Sequence, residues 1–197
     1  MAKKESTLLN MVLTLFLVTA AAGLALALVY NTTLEPIQQV EKEVLETALG
    51  RVLPEFDKIE PPSGIEVAPE NGKDPLVFYP AYKGEEPVGT AVKTYTDQGF
   101  SGRFWIMVGF SPDGTIINTA VLEHKETPGL GDKMETEKSD FPDQFKGENP
   151  ADFGLSVTKD GGDVDAITAA TISSRAFCDA VDRAYKTFMN KNKGGAK

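Results

Sequence analysis

The chain has 197 residues, with 20 Lys+Arg against 29 Asp+Glu, a formal charge of −9 and a pI near 4.7. That balance argues against a nucleic-acid partner, because phosphate binding is driven by clustered Lys and Arg. With Cys178 and His124 the single cysteine and histidine, an internal disulfide is impossible and a Cys/His zinc or iron–sulfur site lacks ligands.

His124 would also have to serve any Ser-His-Asp triad, and no G-x-S-x-G elbow accompanies it. Redox or group-transfer chemistry in this chain therefore needs a cofactor. Hydrophobic residues at 41 % and charged residues at 25 % are the proportions of a folded domain. The charge is uneven: Lys3, Lys4 and Glu5 give residues 1–30 a net +1, leaving −10 for the rest.

After a short N-terminus (residues 1–7), residues 8–30 are 23 positions without a charge. As a helix they would extend about 34 Å, enough for a hydrocarbon core of roughly 30 Å. A cleaved signal peptide is the bland alternative, with Ala20 to Ala22 or Ala25-Leu26-Ala27 as cleavage sites, but signal h-regions are shorter. The length favours a retained transmembrane anchor. Lys3 and Lys4 before the span place the N-terminus in the cytoplasm and the acidic domain outside, in a periplasm or its equivalent.

Residues 31–74 read as a stalk helix and linker. Thr33 is expected to cap a helix with Pro36 in its first turn, and Ile37, Val40, Val44, Ala48 and Val52 recur at helical spacing. Pro54, Pro61-Pro62-Ser63-Gly64, Pro69 and Asn71-Gly72 make residues 54–74 a loop with one short strand at most. Residues 75–197 form the main domain. Strands are expected at 76–79, 88–96, 104–110 and 115–122, the last two joined by the turn Ser111-Pro112-Asp113-Gly114. A Gly-, Pro- and charge-rich stretch follows, with one short helix near residues 140–146. Ala176, Phe177, Ala180, Val181, Ala184, Tyr185 and Phe188 then mark one face of a C-terminal helix starting near Thr171 or Ser173. The fold class is α+β: antiparallel sheet with packed helices.

The most unusual segment is Asp165-Ala166-Ile167-Thr168-Ala169-Ala170-Thr171-Ile172-Ser173-Ser174-Arg175. Hydroxyl residues at a helix start can simply cap it, or the unpaired N–H groups and the dipole can hold a phosphate. The segment resembles the flavinylation motif of the FMN-binding domain family, with Asp165, Thr168, Ala170, Thr171 and Ser173 at matching positions and Ala169 where the family usually has Gly. By that resemblance Thr171 carries FMN esterified through its phosphate, placed there by a flavin transferase, with Ser173 and Thr168 as hydrogen-bond partners of the phosphate oxygens.

Two further loops point the same way. His124-Lys125-Glu126-Thr127-Pro128-Gly129-Leu130-Gly131 and Gly99-Phe100-Ser101-Gly102 resemble loops of the G subunits of Rnf-type electron transport complexes, in the same order. The resemblance implies an electron-carrier subunit acting with other membrane subunits in an ion-translocating ferredoxin:NAD⁺ oxidoreductase, rather than a stand-alone enzyme. Thr127, Pro128, Gly129, Leu130 and Gly131 become candidates for contact with the flavin ring. The C subunit of the Na⁺-translocating NADH:quinone oxidoreductase is a sibling reading. A pilin-like protein fits less well, since Ser6-Thr7 precede the span and no acid lies within it, while a tethered binding module without cofactor remains an alternative.

Four side-chain groups carry competing readings. His124 is expected to face solvent or be locally hydrogen-bonded rather than touch the flavin; Phe104 and Trp105 are core rather than stacking partners. Cys178 is inert and partly buried. Glu123, Glu126, Asp132, Glu135 and Glu137 read as a solvated acidic loop rather than a cation site.

Overall fold

The computed structural model describes residues 7–194. The chain divides into two compact units, Met1–Val44 and Leu45–Lys197. Helix α1 runs without interruption over Leu8–Val52. It is long and apolar enough to cross a membrane, with a mean hydropathy of 2.5 in its most apolar window. Its hydroxyls are satisfied within the helix, Thr14 donating to the Asn10 carbonyl at 2.7 Å and Thr19 to that of Leu15 at 2.9 Å.

Thr33 does not cap a new helix. Its hydroxyl donates to the Val29 carbonyl at 2.9 Å and the helix passes straight through Pro36. A proline removes one N–H and one intrahelical bond. The apolar segment and the expected stalk helix are consequently one element.

The second unit is built on an antiparallel sheet. Strand β1 (Lys58–Ile59) and β2 (Ile65–Val67) both pair with β3 (Leu76–Lys83), so residues 54–74 hold two short strands instead of one. From β3 the chain meanders through β4 (Glu86–Thr96), β5 (Phe104–Phe110) and β6 (Ile116–Glu123). The β5–β6 turn closes with Gly114 at φ 92°, and Asp113 accepts from the Thr115 N–H and hydroxyl. Those hydrogen bonds, with one from Ser111, hold the Asp113 carboxyl below its ordinary range.

Strand alternation sends successive side chains to opposite faces, and both faces are covered. One face presents Phe78, Val92, Ile106, Val108, Phe110 and Ile116 to helix α2 (Thr171–Gly194), which returns Ala176, Phe177, Ala180, Val181 and Ala184. The other presents Tyr79, Ala81, Ala91, Met107 and Ala120, against which Ala48, Leu49, Val52 and Leu53 pack. The last turns of α1 are thus part of this unit's core.

Between β6 and α2 the chain makes three short 3-10 turns, Gly131–Met134, Phe141–Phe145 and Thr158–Asp160, where the sequence suggests one helix. Phe141 and Phe145 stack edge-on and tilted against Phe177 at 5.4 and 5.1 Å, closing the α2 side of the core. Phe104 is fully buried, and Trp105 leans on Tyr95 at 5.1 Å, so both serve packing.

Candidate functional site

Three loops meet at the start of α2. The stretch ahead of it turns sharply, with Ala169 at φ 61°, the single non-glycine positive φ among the described residues. That left-handed conformation favours glycine, since a Cβ crowds the following carbonyl by roughly 1–2 kcal/mol. Two hydrogen bonds hold the turn: the Ser174 hydroxyl donates to the Ala170 carbonyl at 3.0 Å and accepts from the Ile167 N–H at 2.9 Å. Thr171 is then the first helical residue, half-buried, with Thr168 and Ala169 exposed before it.

Beside this turn lies a cavity of about 290 Å³, lined by Phe100, Glu126, Thr127, Leu130, Gly131 and residues 169–173. Small-molecule pockets range upward from about 300 Å³ and are mostly apolar with a few placed polar groups. Phe100, Leu130 and Ile172, at 66, 40 and 48 % exposure, are the large apolar side chains left open on this unit, and all three rim the cavity. An apolar rim around a helix start that offers free N–H groups suits a molecule with a flat ring and a phosphate.

Of the candidates from the sequence, Thr171, Ser173, Thr127, Leu130 and Gly131 come together here; Thr168, Pro128 and Gly129 stand outside the lining and exposed. Gly131 is required by close approach, because a Cβ there would sit 2.5 Å from Glu126 Oε2 and 2.6 Å from Ser173 Oγ. Gly99 faces the other carboxylate oxygen in the same way, 2.8 Å from Glu126 Oε1.

The expected solvated acidic loop is corrected at two positions. Glu126 is 5 % and Asp132 6 % exposed. Glu126 Oε1 accepts from the Ser101 N–H at 3.0 Å and Oε2 from the Ser173 hydroxyl at 2.7 Å. Asp132 takes an ion pair from Lys138 at 3.1 Å. Burial works to raise its carboxyl, but the Lys138 ammonium, the Gly129 backbone and the nearby His124 outweigh it and hold the group below its ordinary value. No cluster among the described residues has the make-up of a metal site.

His124 keeps to local bonds, its Nε2 to Glu135 at 2.5 Å and its Nδ1 accepting from the Glu126 N–H at 3.0 Å. It steadies the loop rather than lining the cavity. Cys178 is buried and its thiol is pushed up to about 12 by desolvation. Sequence reasoning missed Glu126, Phe100 and Ile172 as lining residues; the acid between His124 and Thr127 was visible, but its contact with Ser173, 47 positions away, was not.

The FMN-binding domain family matches residues 99–186, the segment that contains all three loops. The G subunit of the ion-translocating oxidoreductase complex of Methanosarcina acetivorans is 36 % identical over 185 residues, covering 92 % of this chain and 93 % of that one. The chain belongs to the G-subunit family of ion-translocating oxidoreductase complexes. Its relative from Erwinia tasmaniensis, also a G subunit, is 45 % identical over 113 residues, 56 % of this chain and 54 % of that protein. Against that relative and several other G subunits the match spans little more than half their length. The crystal structure of Shewanella oneidensis NqrC superimposes with a TM-score of 0.49 at 21 % identity, covering 69 % of this chain and 72 % of that chain.

Proposed function

We propose that this member of the G-subunit family is a membrane-anchored electron carrier whose FMN is esterified through its phosphate to Thr171. The observation that carries the reading is the position of Thr171: first residue of α2, half-buried and lining an apolar cavity within an FMN-binding domain. The residues present fit the group. Free N–H groups at the helix start suit phosphate charge, and Leu130, Phe100 and Ile172 offer apolar contact to a ring.

The flavin, when bound, supplies redox chemistry that none of these side chains has. Thr171 contributes an acceptor hydroxyl: a Thr171 Oγ–P bond forms, the donor's phosphoanhydride or activated P–O bond breaks, and the hydroxyl proton departs with the leaving group. A flavin transferase performs this step on the folded turn. The ester keeps the cofactor from exchanging with a surrounding space poor in free flavin.

The reading extends to an assembly. Electrons pass through the FMN between partners in a membrane complex that moves electrons between ferredoxin and NAD⁺ and drives ion translocation. The apolar segment of α1 anchors the chain with its +1 end in the cytoplasm and the −10 remainder outside.

Co-expression of the full chain with a flavin transferase tests the attachment. Wild type gains the mass of FMN less water and fluoresces in a denaturing gel; Thr171→Ala loses both. Retention of the gain in Thr171→Ala would remove the assignment. Protease added outside intact spheroplasts is expected to cut the second unit, and protection of that unit would reverse the topology.

A further inference from the structure

We propose that Glu126 is the positioning residue of this site: through Ser173 it holds the first turn of α2 in the rotation that presents the Thr171 hydroxyl to an incoming phosphoryl group. This rests on the reading of Thr171 as the attachment point and concerns a residue that does not itself touch the flavin phosphate.

Three features make Glu126 more than a buried acid. Its two oxygens join all three cavity loops, Oε1 to the Ser101 N–H of the 99–102 loop and Oε2 to the Ser173 hydroxyl of α2, while its own backbone belongs to the 124–131 loop. Among the described residues its side-chain partners are the neutral Ser101 N–H and Ser173 hydroxyl, while the neighbouring Lys138 pairs with Asp132 and Glu135 instead. A buried carboxylate is costly unless hydrogen-bonded, so a residue kept for packing alone would be apolar. Finally, the fold clears room for it, with Gly99 and Gly131 packed against Oε1 and Oε2 where any Cβ would collide.

Helical geometry explains how the tie reaches Thr171. Successive residues turn by about 100°, so Ser173 and Thr171 lie about 200° apart around α2. Pulling Ser173 inward, to 2 % exposure, therefore turns Thr171 toward the open side, where it is half-buried. Ser174, by contrast, bonds only within its own turn, to Ile167 and Ala170, and cannot fix the helix against the other loops. The Ser173 proton is already committed to Glu126, which makes Ser173 a link rather than a donor to phosphate.

The test uses the full chain in detergent, a purified flavin transferase and flavin adenine dinucleotide. Transfer forms the Thr171 Oγ–P bond, breaks the dinucleotide's pyrophosphate bond and releases the adenosine monophosphate with the hydroxyl proton. Intact mass against time gives the rate. Glu126→Ala is expected to slow transfer on the order of tenfold to a hundredfold. Glu126→Gln is expected within about threefold of wild type, because its amide can accept from Ser101 and donate to the Ser173 oxygen. Ser173→Ala should resemble Glu126→Ala, and the double variant should be no slower than the slower single one, as for two members of one link.

A second readout needs no flavin. Amide exchange at Ser101 and in the first turn of α2 should rise in Glu126→Ala and return in Glu126→Gln, with thermal melting confirming that each variant is folded. Wild-type rates in Glu126→Ala, multiplying effects in the double variant, or a Glu126→Gln as slow as Glu126→Ala would each overturn the positioning role. Wild type that takes up no flavin would instead overturn the Thr171 reading, and the positioning role with it.

Discussion

The two faces of the sheet solve the same burial problem with different mixtures of residues. Toward α2 the strands present Phe78, Phe110 and Ile106, and the helix meets them at side-chain distance through Phe177 and small Ala176, Ala180 and Ala184. Toward the end of α1 they present Ala81, Ala91 and Ala120 beside the larger Tyr79 and Met107, and the helix comes down to backbone contact at one point. Gly109 shows how close: a Cβ there would lie 1.8 Å from the Val52 carbonyl oxygen. The start of α2 borders the apolar cavity rimmed by Phe100, Leu130 and Ile172, whereas the cavity beside the end of α1, lined by Gly50, Leu53, Glu55, Asp57 and Lys83 among others, is more polar.

The largest effect expected from breaking this asymmetry is Phe177→Ala. Removing a fully buried ring that touches Phe141 and Phe145 should cost about 3–5 kcal/mol and disturb the site as well as the core. Chemical denaturation and the flavin mass gain, measured on one sample, should fall together. On the other face, Gly109→Ala must push Val52 away and should cost about 1–3 kcal/mol, yet flavin attachment should persist. If it abolished attachment in a folded protein, the two faces would not be independent.

Ala169→Gly sharpens the comparison in the stabilising direction. At φ 61° the alanine is strained, and glycine should raise stability by about 0.5–1 kcal/mol, less its greater unfolded-state entropy. A lowered melting temperature would show that the turn is not held left-handed. The last prediction concerns Cys178, under α2, and leaves stability near neutral pH untouched. Its thiol is raised to about 12 against an ordinary 9.0, so the folded chain retains a proton that the unfolded chain loses between those values. Stability from this group is full below pH 9.0 and declines as pH rises toward 12. Thiol reagents should label Cys178 only upon unfolding, and rapid labelling of the native protein would contradict its burial.

Much of this was legible in local sequence. Residues 8–30 specify an apolar helix by composition, the four long strands follow from β-branched and aromatic runs, and α2 follows from its apolar periodicity. Thr33 misled because a threonine hydroxyl can cap a helix or bond back inside one, and only the continuing chain decides. The stalk misled in another way: Ala48 and Val52 show periodicity, which says that a face is buried but not what buries it.

Thr171 stood out as the candidate because its motif is contiguous, eleven residues read in one line. Glu126 did not, although it stands in plain view beside Thr127, since its acidic neighbours Glu123 and Glu137 are exposed and the same composition suits a solvated loop. The sequence by itself determined the apolar segment, the four long strands, α2 and the charge division, all of which depend on neighbours within a few residues, and its resemblance to a family motif marked the candidate attachment threonine. Tertiary structure alone decided which acid is buried, which glycines make room for it and which side chains meet Thr171 around the cavity. Those depend on contacts such as Glu126 with Ser173 that close long loops, and the free energy that selects them comes from the packed core rather than from local preference.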